Sequence, residues 1–284
     1  MLLPPFQLHT PKTLKSALEL YNSLSHVRLQ AGGTFLFNNL KLLKKKGTKT
    51  PENILSLSRI HELRGIHSEG EKITIKAMTT IAEILESPLL GDRHLKALRT
   101  VCRNISTQPV KNMATLGGNL TCRYTWTEMP VAMIALQAQM HFMGADGHEE
   151  VFLAEEFFAN AAKTDKILTH VTIKKDKDAA VTYFRVKKSP YLDIPLLSIC
   201  LKTNWNRNQF TETIVAVNNG TAFAQRDRLL EGFLNQKPCS EEIIEQAVAH
   251  MDKVIYETRS SDYKKHMFRV GIKTALKELI ANQK

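Results

Sequence analysis

Two pairs of consecutive glycines, 85 positions apart, constrain this chain more than any other feature of its sequence. The first pair lies in residues 31–34 (Ala-Gly-Gly-Thr) and the second in residues 115–119 (Thr-Leu-Gly-Gly-Asn). Glycine has no Cβ, so a ligand can approach the backbone of such a segment closely. Successive N–H groups in a turn also form a concave, partly positive surface. We therefore predict that the two segments hold a pyrophosphate group between them.

The residues around the first glycine pair predict a strand, a turn and the start of a helix. Residues 27–31 read as a short strand, and residues 35–46 read as a helix with Thr34 as its N-cap and Gly47 just beyond its end. The positive end of the helix dipole would then point to the same place as the amides of the turn. This arrangement favours an anion at that place.

On this interpretation, amides from two segments hold the anion from opposite sides. The predicted donors are the backbone N–H groups of Gly32, Gly33 and Thr34 on one side and of Gly117, Gly118 and Asn119 on the other. The hydroxyls of Thr34 and Thr115 would add hydrogen bonds, and such charge-assisted bonds need no lysine. We expect Gly32→Val and Gly117→Val to lose the ligand and to keep the fold.

The rest of the chain predicts mixed helices and strands, followed by a strand meander and a helical end. The predicted helices are residues 13–24, 80–85, 94–103, 130–139, 224–234, 240–251 and 261–281. The predicted strands are residues 54–57, 72–77, 167–173, 181–186, 196–204 and 211–217, and residues 106–112 read as a polar connection. The polar residues 176–180 predict a domain boundary. Strands followed by helices are typical of an α+β domain.

Composition excludes several classes of protein and site. The net charge is +11, but the basic residues form only short, scattered runs without interleaved aromatic residues, so no nucleic-acid surface is predicted. The four cysteines form no C-x-x-C pair, which predicts reduced thiols in a cytoplasmic protein and no metal centre. Residues 131–143 are too short and too polar to span a bilayer. Neither a P-loop nor a G-x-G-x-x-G motif is present.

The residues flanking the glycine pairs resemble those of a known family. Residues 108–120 (QPVKNMATLGGNL) are similar to the signature R-N-x-A-T-I-G-G-N-L of the FAD-binding, or medium, subunit of molybdenum hydroxylases, with Lys111 in place of the arginine. Residues 31–34 resemble its A-G-G-T loop, residues 76–80 its G-A-x-T-T segment, and residues 260–266 its S-A-E-Y-R-R-H segment. These matches keep the family's order and span nearly the whole chain.

The resemblance implies both a fold and a role. Residues 1–176 would form the two-subdomain FAD-binding domain of the vanillyl-alcohol-oxidase type, divided near residue 57, and residues 177–284 a smaller α+β domain. FAD would take electrons from the iron–sulfur clusters of one partner subunit, which receive them from a molybdopterin subunit. It would pass them to NAD or another acceptor. In such a cytoplasmic hetero-oligomer, no acid–base catalytic pair is expected in this chain, because the redox chemistry belongs to the cofactor.

The resemblance also implies which residues contact FAD. They are Leu29, Ala31, Gly32, Gly33, Thr34, Phe35, Leu36, Thr115, Gly117, Gly118, Asn119, Thr121, Glu128, Ile167, Leu168, Arg185 and Lys187. Arg185, or Lys187 in a shifted register, would be the basic residue that the family places before an Asp-Ile pair, here Asp193 and Ile194. A cation there would steady an anionic reduced flavin. The alternative is a surface charge.

Two positions depart from the family's pattern. Phe35 stands where the family often has an aspartate, and residues 121–128 replace its A-S-P-x-x-D, with Glu128 at the aspartate's place. Phe35 is otherwise interpreted as a core residue, and Glu128 as a solvated carboxylate. Tyr124 and Trp126 would stack near the cofactor or at an interface, or simply pack in the protein.

Three hypotheses follow for the whole chain. The first is the electron-transfer subunit described above. The second is a self-sufficient flavin oxidoreductase with its own substrate pocket. The third is a scaffold that keeps the fold and has lost the flavin, which the altered residues 121–128 motivate. A visible spectrum of the purified chain separates the third hypothesis from the others, and co-purification with an iron–sulfur subunit separates the first from the second.

Overall fold

A computed structural model describes residues 2–159, 164–187, 189 and 194–282 of the chain. In these ranges the chain forms three β-sheets with helices packed around them. This mixed helix and sheet architecture agrees with the predicted α+β class. None of the helices in the described ranges combines the length and the apolar composition that crossing a lipid bilayer requires.

The first sheet has three parallel strands in the order β1–β3–β2. Its elements in chain order are β1 (Gln7–His9), α1 (Leu14–Ser23), β2 (Val27–Gln30), α2 (Leu36–Lys45) and β3 (Asn53–Ser56). Parallel strands need crossover connections, and the two helices provide them. α1 begins at Thr13, whose side chain accepts a hydrogen bond from the N–H of Ser16. Buried Leu18 and Leu55 belong to the core of this part.

The predicted N-cap of α2 is wrong by one residue. Phe35 occupies the N-cap position and makes no side-chain capping bond. Gly33 has a φ of +71°, so the chain turns in the left-handed region before the helix begins. Thr34 therefore lies in the turn and not at the cap. The predicted end is confirmed, because Lys46 is the C-cap and Gly47 follows it with a φ of +63°.

The second sheet has five antiparallel strands in the order β4–β5–β8–β6–β7. The strands are β4 (Ile66–Glu69), β5 (Lys72–Lys76), β6 (Gln139–Met143), β7 (Glu149–Leu153) and β8 (Ile167–Lys174). The helices of this part are α3 (Ile81–Glu86), α4 (Lys96–Asn104), α5 (Gln108–Met113), α6 (Leu116–Thr121), α7 (Met129–Ala135) and α8 (Ala154–Ala159). The apolar side chains of one sheet face and of these helices form the largest buried cluster.

Two predictions for this region are wrong. Residues 106–112 were interpreted as a polar connection, but α5 occupies most of them because Pro109 starts a helix well at its first turn. The predicted helix 130–139 stops at Ala135, and Gln139 already belongs to β6. Burial alternates along β6, as expected for a strand with one buried face.

The third sheet has four antiparallel strands in the order β12–β11–β10–β9. Its strands are β9 (Ala180–Lys187), β10 (Pro195–Asn206), β11 (Gln209–Asn218) and β12 (Gln225–Arg226). The helices are α9 (Arg228–Leu234), α10 (Glu241–Ala247), α11 (Lys253–Glu257) and α12 (Asp262–Ala281). The predicted meander is confirmed. The predicted helix 224–234 is partly wrong, since its first residues pair as β12.

The last helix covers the third sheet. The predicted helix 261–281 is confirmed, and Ser261 caps α12 by accepting a hydrogen bond from the N–H of Lys264. Phe268, Ile272 and Leu276 of α12 are fully buried in a core with residues from β10 and β11. This core is separate from the one under the second sheet, so the carboxyl-terminal sheet and helices have a hydrophobic interior of their own.

Candidate functional site

A cavity of about 780 Å³ lies where the first two sheets meet the start of the third. Its volume falls in the range of small-molecule and cofactor sites. Every residue predicted to contact the cofactor lines this cavity, except Arg185 and Lys187. The predicted residues therefore lie together in the fold, although they extend over more than 130 positions of the sequence, from Leu29 to Leu168.

The first glycine segment lines the cavity as an open turn between β2 and α2. Among the residues that the structure describes, no acceptor receives the backbone N–H groups of Gly32, Gly33 or Thr34. The carbonyl of Gly33 is occupied, because it accepts a bond from the N–H of Phe37 (3.3 Å). Unpaired backbone donors require a partner when they are covered. This segment therefore offers three amides to an anion at the start of α2.

The second glycine segment differs from the prediction. Residues 116–121 form α6, and Thr115 is its N-cap. The N–H of Gly117 donates to the carbonyl of Ala77 (2.8 Å), and the N–H of Gly118 donates to the Thr115 hydroxyl (3.1 Å). The N–H of Asn119 donates to the Thr115 carbonyl (3.0 Å). The amides predicted to form the second half of the anion site are therefore already bound to the protein, and that prediction is wrong.

The glycines of the two segments instead allow the segments to pack against each other. A Cβ on Gly32 would lie 1.9 Å from the Met113 carbonyl oxygen, and a Cβ on Gly118 would lie 3.2 Å from the Cβ of Ala31. A Cβ on Gly117 would lie 2.9 Å from the Ala77 oxygen. Valine at position 32 or 117 would therefore displace backbone. These distances argue against the expectation that the variants keep the fold, and their loss of the ligand stays a prediction.

The second segment contributes a side chain in place of its amides. Asn119 lines the cavity, and its Oδ1 atom is buried without a hydrogen-bond partner among the described residues. A buried amide oxygen of this kind costs about 1–3 kcal/mol when it stays unpaired. A ligand in the cavity can remove this cost, so Asn119 is the polar group of this segment that is available for binding.

Glu128 and Arg185 form an ion pair with each other, whereas the sequence predicts that each contacts the cofactor. Arg185 Nη1 lies 2.8 Å from both carboxylate oxygens of Glu128, and the hydroxyl of Tyr183 donates to the same carboxylate. The two charged side chains are 11% and 6% exposed. Neither the interpretation of Glu128 as a solvated carboxylate nor that of Arg185 as a surface charge is correct. Glu128 lines the cavity and Arg185 lies behind it.

This ion pair also connects α7 to the third sheet. Tyr183 and Arg185 belong to β9, and the side chain of Asn218 in β11 donates to the carbonyl of Thr127 (2.6 Å). Burial, together with the neighbouring Glu128, raises the pKa of Tyr183 well above its usual value, so this hydroxyl remains a donor.

The other residues that the sequence places near the flavin ring are separated. Lys187 ends β9 outside the cavity lining, and Ile194 lines the cavity. Asp193 lies outside the described residues.

The two departures from the family's pattern contact each other. The rings of Phe35 and Tyr124 are 4.4 Å apart, and those of Tyr124 and Trp126 stack at 4.3 Å. Asn39 of α2 donates to the Tyr124 hydroxyl (2.9 Å). Phe35 is 37% exposed, so it is not the core residue that the alternative interpretation expected. These aromatic residues form one wall of the cavity.

Arg123 lies beside this wall in a constrained conformation. Its φ is +52°, and its guanidinium carbon lies 5.0 Å from the ring centres of both Phe157 and Phe223. Burial lowers the pKa of the Arg123 guanidinium. The cation–π contacts stabilise the cation and join the second sheet's helices to the loop that follows β11.

In this mixed helix and sheet protein, an open amide turn follows a parallel strand and lines a cavity of this size, which is typical of sites for phosphate-containing cofactors. Residues 4–174 match the family described as "FAD binding domain in molybdopterin dehydrogenase", and the chain belongs to this family. FAD is the cofactor of this family.

Two relatives and one solved structure resemble the chain. The carbon monoxide dehydrogenase medium chain of Hydrogenophaga pseudoflava is 33% identical over 165 residues, which are 58% of this chain and 55% of that relative, so the match spans about half the length of each. The nicotinate dehydrogenase FAD-subunit of Eubacterium barkeri is 26% identical over 68% of this chain and 66% of its own length. A structure of carbon monoxide dehydrogenase from H. pseudoflava covers 99% of both chains with a TM-score of 0.89 and 25% identity.

Several residues that build the site were not predicted. Asn39, Tyr183 and Asn218 hold Tyr124, Glu128 and the Thr127 carbonyl in place. Each bond joins positions at least 55 residues apart. No local pattern of residue types signals such a contact, so inspection of one sequence could not have found them.

Proposed function

We propose that this chain is the FAD-binding electron-transfer subunit of a molybdopterin-dependent hydroxylase or dehydrogenase. The observation that carries the proposal is the open amide turn at Gly32–Thr34, which faces a cavity lined by the residues that the family's motifs select. On this proposal a partner subunit with iron–sulfur clusters delivers electrons that come from a molybdopterin subunit. NAD or another acceptor removes them.

The residues present fit FAD at the diphosphate. The amides of Gly32, Gly33 and Thr34 would bind the two phosphates, helped by the positive end of α2. Oδ1 of Asn119, which can only accept, would take a hydrogen bond from a hydroxyl or N–H group of the cofactor and not from the diphosphate. When bound, FAD supplies the redox chemistry of the subunit. The chain's own residues bind and orient it.

Other predicted contacts have different proposed roles. Ile167 and Leu168 are buried in β8 and present an apolar surface to the cavity. Leu29 and Leu36 flank the amide turn in the same way. We infer that Arg185 acts through Glu128, because its Nη1 atom donates to both oxygens of that carboxylate. Arg185 is thus a positioning residue.

The domain division is also part of the proposal. Residues 1–176, divided near residue 57, would be the FAD-binding domain of the vanillyl-alcohol-oxidase type, and residues 177–284 the domain that closes over it. The first two sheets fall within the former range and the third sheet within the latter, which supports this division. The four cysteines are free thiols, which favours a reducing compartment such as the cytoplasm.

The proposal is tested by purifying the tagged chain from its own cells. We expect a flavin spectrum near one FAD per chain, with co-purifying iron and acid-labile sulfide from the partner subunit. A preparation that stays colourless after FAD is added would favour the scaffold hypothesis. Flavin turnover with a small substrate in the absence of any partner would favour the self-sufficient oxidoreductase. Rapid mixing with NADH would then test whether NAD is the acceptor.

A further inference from the structure

Two histidines and a glutamate meet on the face of the second sheet that points away from its core. His141 of β6 and His170 of β8 are directly paired, and their rings stack with centres 4.0 Å apart. Glu149 of β7 places its Oε2 atom 3.2 Å from His141 Nδ1. One ligand atom from each residue lies within 4.8 Å of the others. None of the three lines the FAD cavity.

Two threonine hydroxyls determine which imidazole nitrogens carry a proton. The Thr169 hydroxyl donates to the His141 carbonyl (3.1 Å), so its oxygen accepts from His170 Nδ1 (2.9 Å). The Thr172 hydroxyl donates to the side chain of Gln139 (3.3 Å), so its oxygen accepts from His141 Nε2 (3.0 Å). The remaining nitrogens, His170 Nε2 and His141 Nδ1, therefore carry lone pairs.

The lone pair on His141 Nδ1 has no suitable partner in the protein. This atom is buried and makes no hydrogen bond with any described residue, although the Glu149 carboxylate oxygen lies 3.2 Å away. Two electron-rich atoms at this distance repel each other unless a cation lies between them.

We propose that His141, Glu149 and His170 bind one divalent transition-metal ion of the zinc class, with a fourth position open to water. Zinc bonds of about 2.0–2.1 Å at tetrahedral angles place ligand atoms roughly 3.3 Å apart. The His141–Glu149 pair is already at 3.2 Å. One ligand atom of His170 lies within 4.8 Å of the other two, so the imidazole must shift toward them when the ion binds.

The surroundings of the three residues support this assignment. Metal-binding histidines donate their second nitrogen to a neighbouring oxygen, and both hydroxyls occupy that position here. Imidazole and carboxylate together favour zinc, copper, nickel or iron over magnesium and calcium. The ion would join β7, β6 and β8 in addition to their ladders of backbone bonds.

The test uses the FAD-loaded protein after treatment with a chelator. Calorimetric titration with ZnCl2 is expected to give one site per chain, with MgCl2 giving none. X-ray absorption at the zinc edge should show two imidazoles. His170→Ala and Glu149→Gln should each weaken zinc binding at least tenfold, and Thr169→Val should weaken it about 10-fold by releasing the His170 ring.

Matched variants provide the controls. His67→Ala removes an exposed histidine from β4 of the same sheet, and Glu150→Gln removes the neighbouring carboxylate, which pairs with Lys166. Both should bind zinc as the wild type does. All variants should retain FAD, which separates this site from the proposed function. If His170→Ala does not fold, His170→Gln replaces it. Zinc binding that is absent, or unchanged in the His170 and Glu149 variants, would overturn the proposal and leave only an ion pair between His141 and Glu149.

Discussion

Asn119→Ala is expected to separate cofactor binding from folding. The Oδ1 atom of Asn119 is buried in the cavity wall and has no hydrogen-bond partner among the described residues. Removing it takes no hydrogen bond from the FAD-free protein. The same change removes a bond to FAD if the proposed binding mode is correct. The affinity for FAD should therefore fall, while the free energy of unfolding of the FAD-free protein should not.

The expected magnitudes follow from the cost of the lost bond. Oδ1 can only accept, so its partner would be a neutral hydroxyl or N–H group of FAD, and such a hydrogen bond contributes about 0.5–1.5 kcal/mol, where each 1.4 kcal/mol is about tenfold in Kd. FAD affinity should therefore fall about 2- to 12-fold. The free energy of unfolding of the FAD-free protein should stay within about 1 kcal/mol of the wild type, or rise, because an unpaired buried acceptor is removed.

The assay is titration of FAD-free protein with FAD, followed by flavin fluorescence, together with urea unfolding of the same samples. Asn112→Ala is the matched control, since Asn112 is exposed on α5 and bonds only locally to Gln108 (2.9 Å). An Asn119→Ala protein that binds FAD within twofold of the wild type would refute the reasoning. A loss of several kcal/mol in the FAD-free protein would also refute it.

Three further predictions concern the packing around the cavity. Glu128→Ala should cost about 3–5 kcal/mol of unfolding free energy, because Arg185 is left buried without its partner; a loss below 1 kcal/mol in urea unfolding would contradict this. Burial raises the pKa of Asp176, but the Lys202 ammonium 2.7 Å away, with hydrogen bonds from the Asn204 side chain and the Ala179 amide, brings this pKa below its usual range. Ionised Asp176 therefore stabilises the fold above the unfolded-state pKa, and this stabilisation is lost as pH falls through the folded-state pKa. The stability difference between the wild type and Asp176→Asn should accordingly be present at pH 7 and vanish in acid, and a difference that persists in acid would be inconsistent with it. A double-mutant cycle of Phe35→Ala and Tyr124→Ala should give a coupling of about 0.5–1.5 kcal/mol, and additive effects would show that the two departures from the family pattern are independent.

Local features of the fold could be predicted from the sequence. Ser261 and Thr80 cap the helices that follow them, and the strand meander lies where β-branched residues alternate with polar ones. These signals depend on residues within a few positions of each other. The hairpin of β6 and β7 was missed because buried residues of α7 run directly into those of β6. A continuous apolar run does not show where the helical spacing of buried residues ends and the alternating spacing of a strand begins.

The candidate site could be predicted as a set of residues but not as a set of bonds. The predicted set includes 15 residues that line the cavity, out of 39 lining residues. The motifs did not reveal that Ala77 and Thr115 capture the amides of α6, because this depends on how α6 packs against the end of β5. They also did not reveal that Arg185 and Glu128, 57 positions apart, neutralise each other. Tertiary contacts decide which polar groups remain available.

The direct contact between the two glycine segments has a consequence for how the protein is assembled. Residues 31–34 close onto Met113 and Gly118, so the amino-terminal sheet and the second sheet share one wall of the cavity. A ligand that touches both segments strengthens their attachment by RT ln(1 + [L]/Kd), or about 1.4 kcal/mol for each tenfold excess over Kd. The supply of cofactor in the cell would thereby set how firmly the first fifty-odd residues stay docked, and with them the lifetime of the chain against proteolysis.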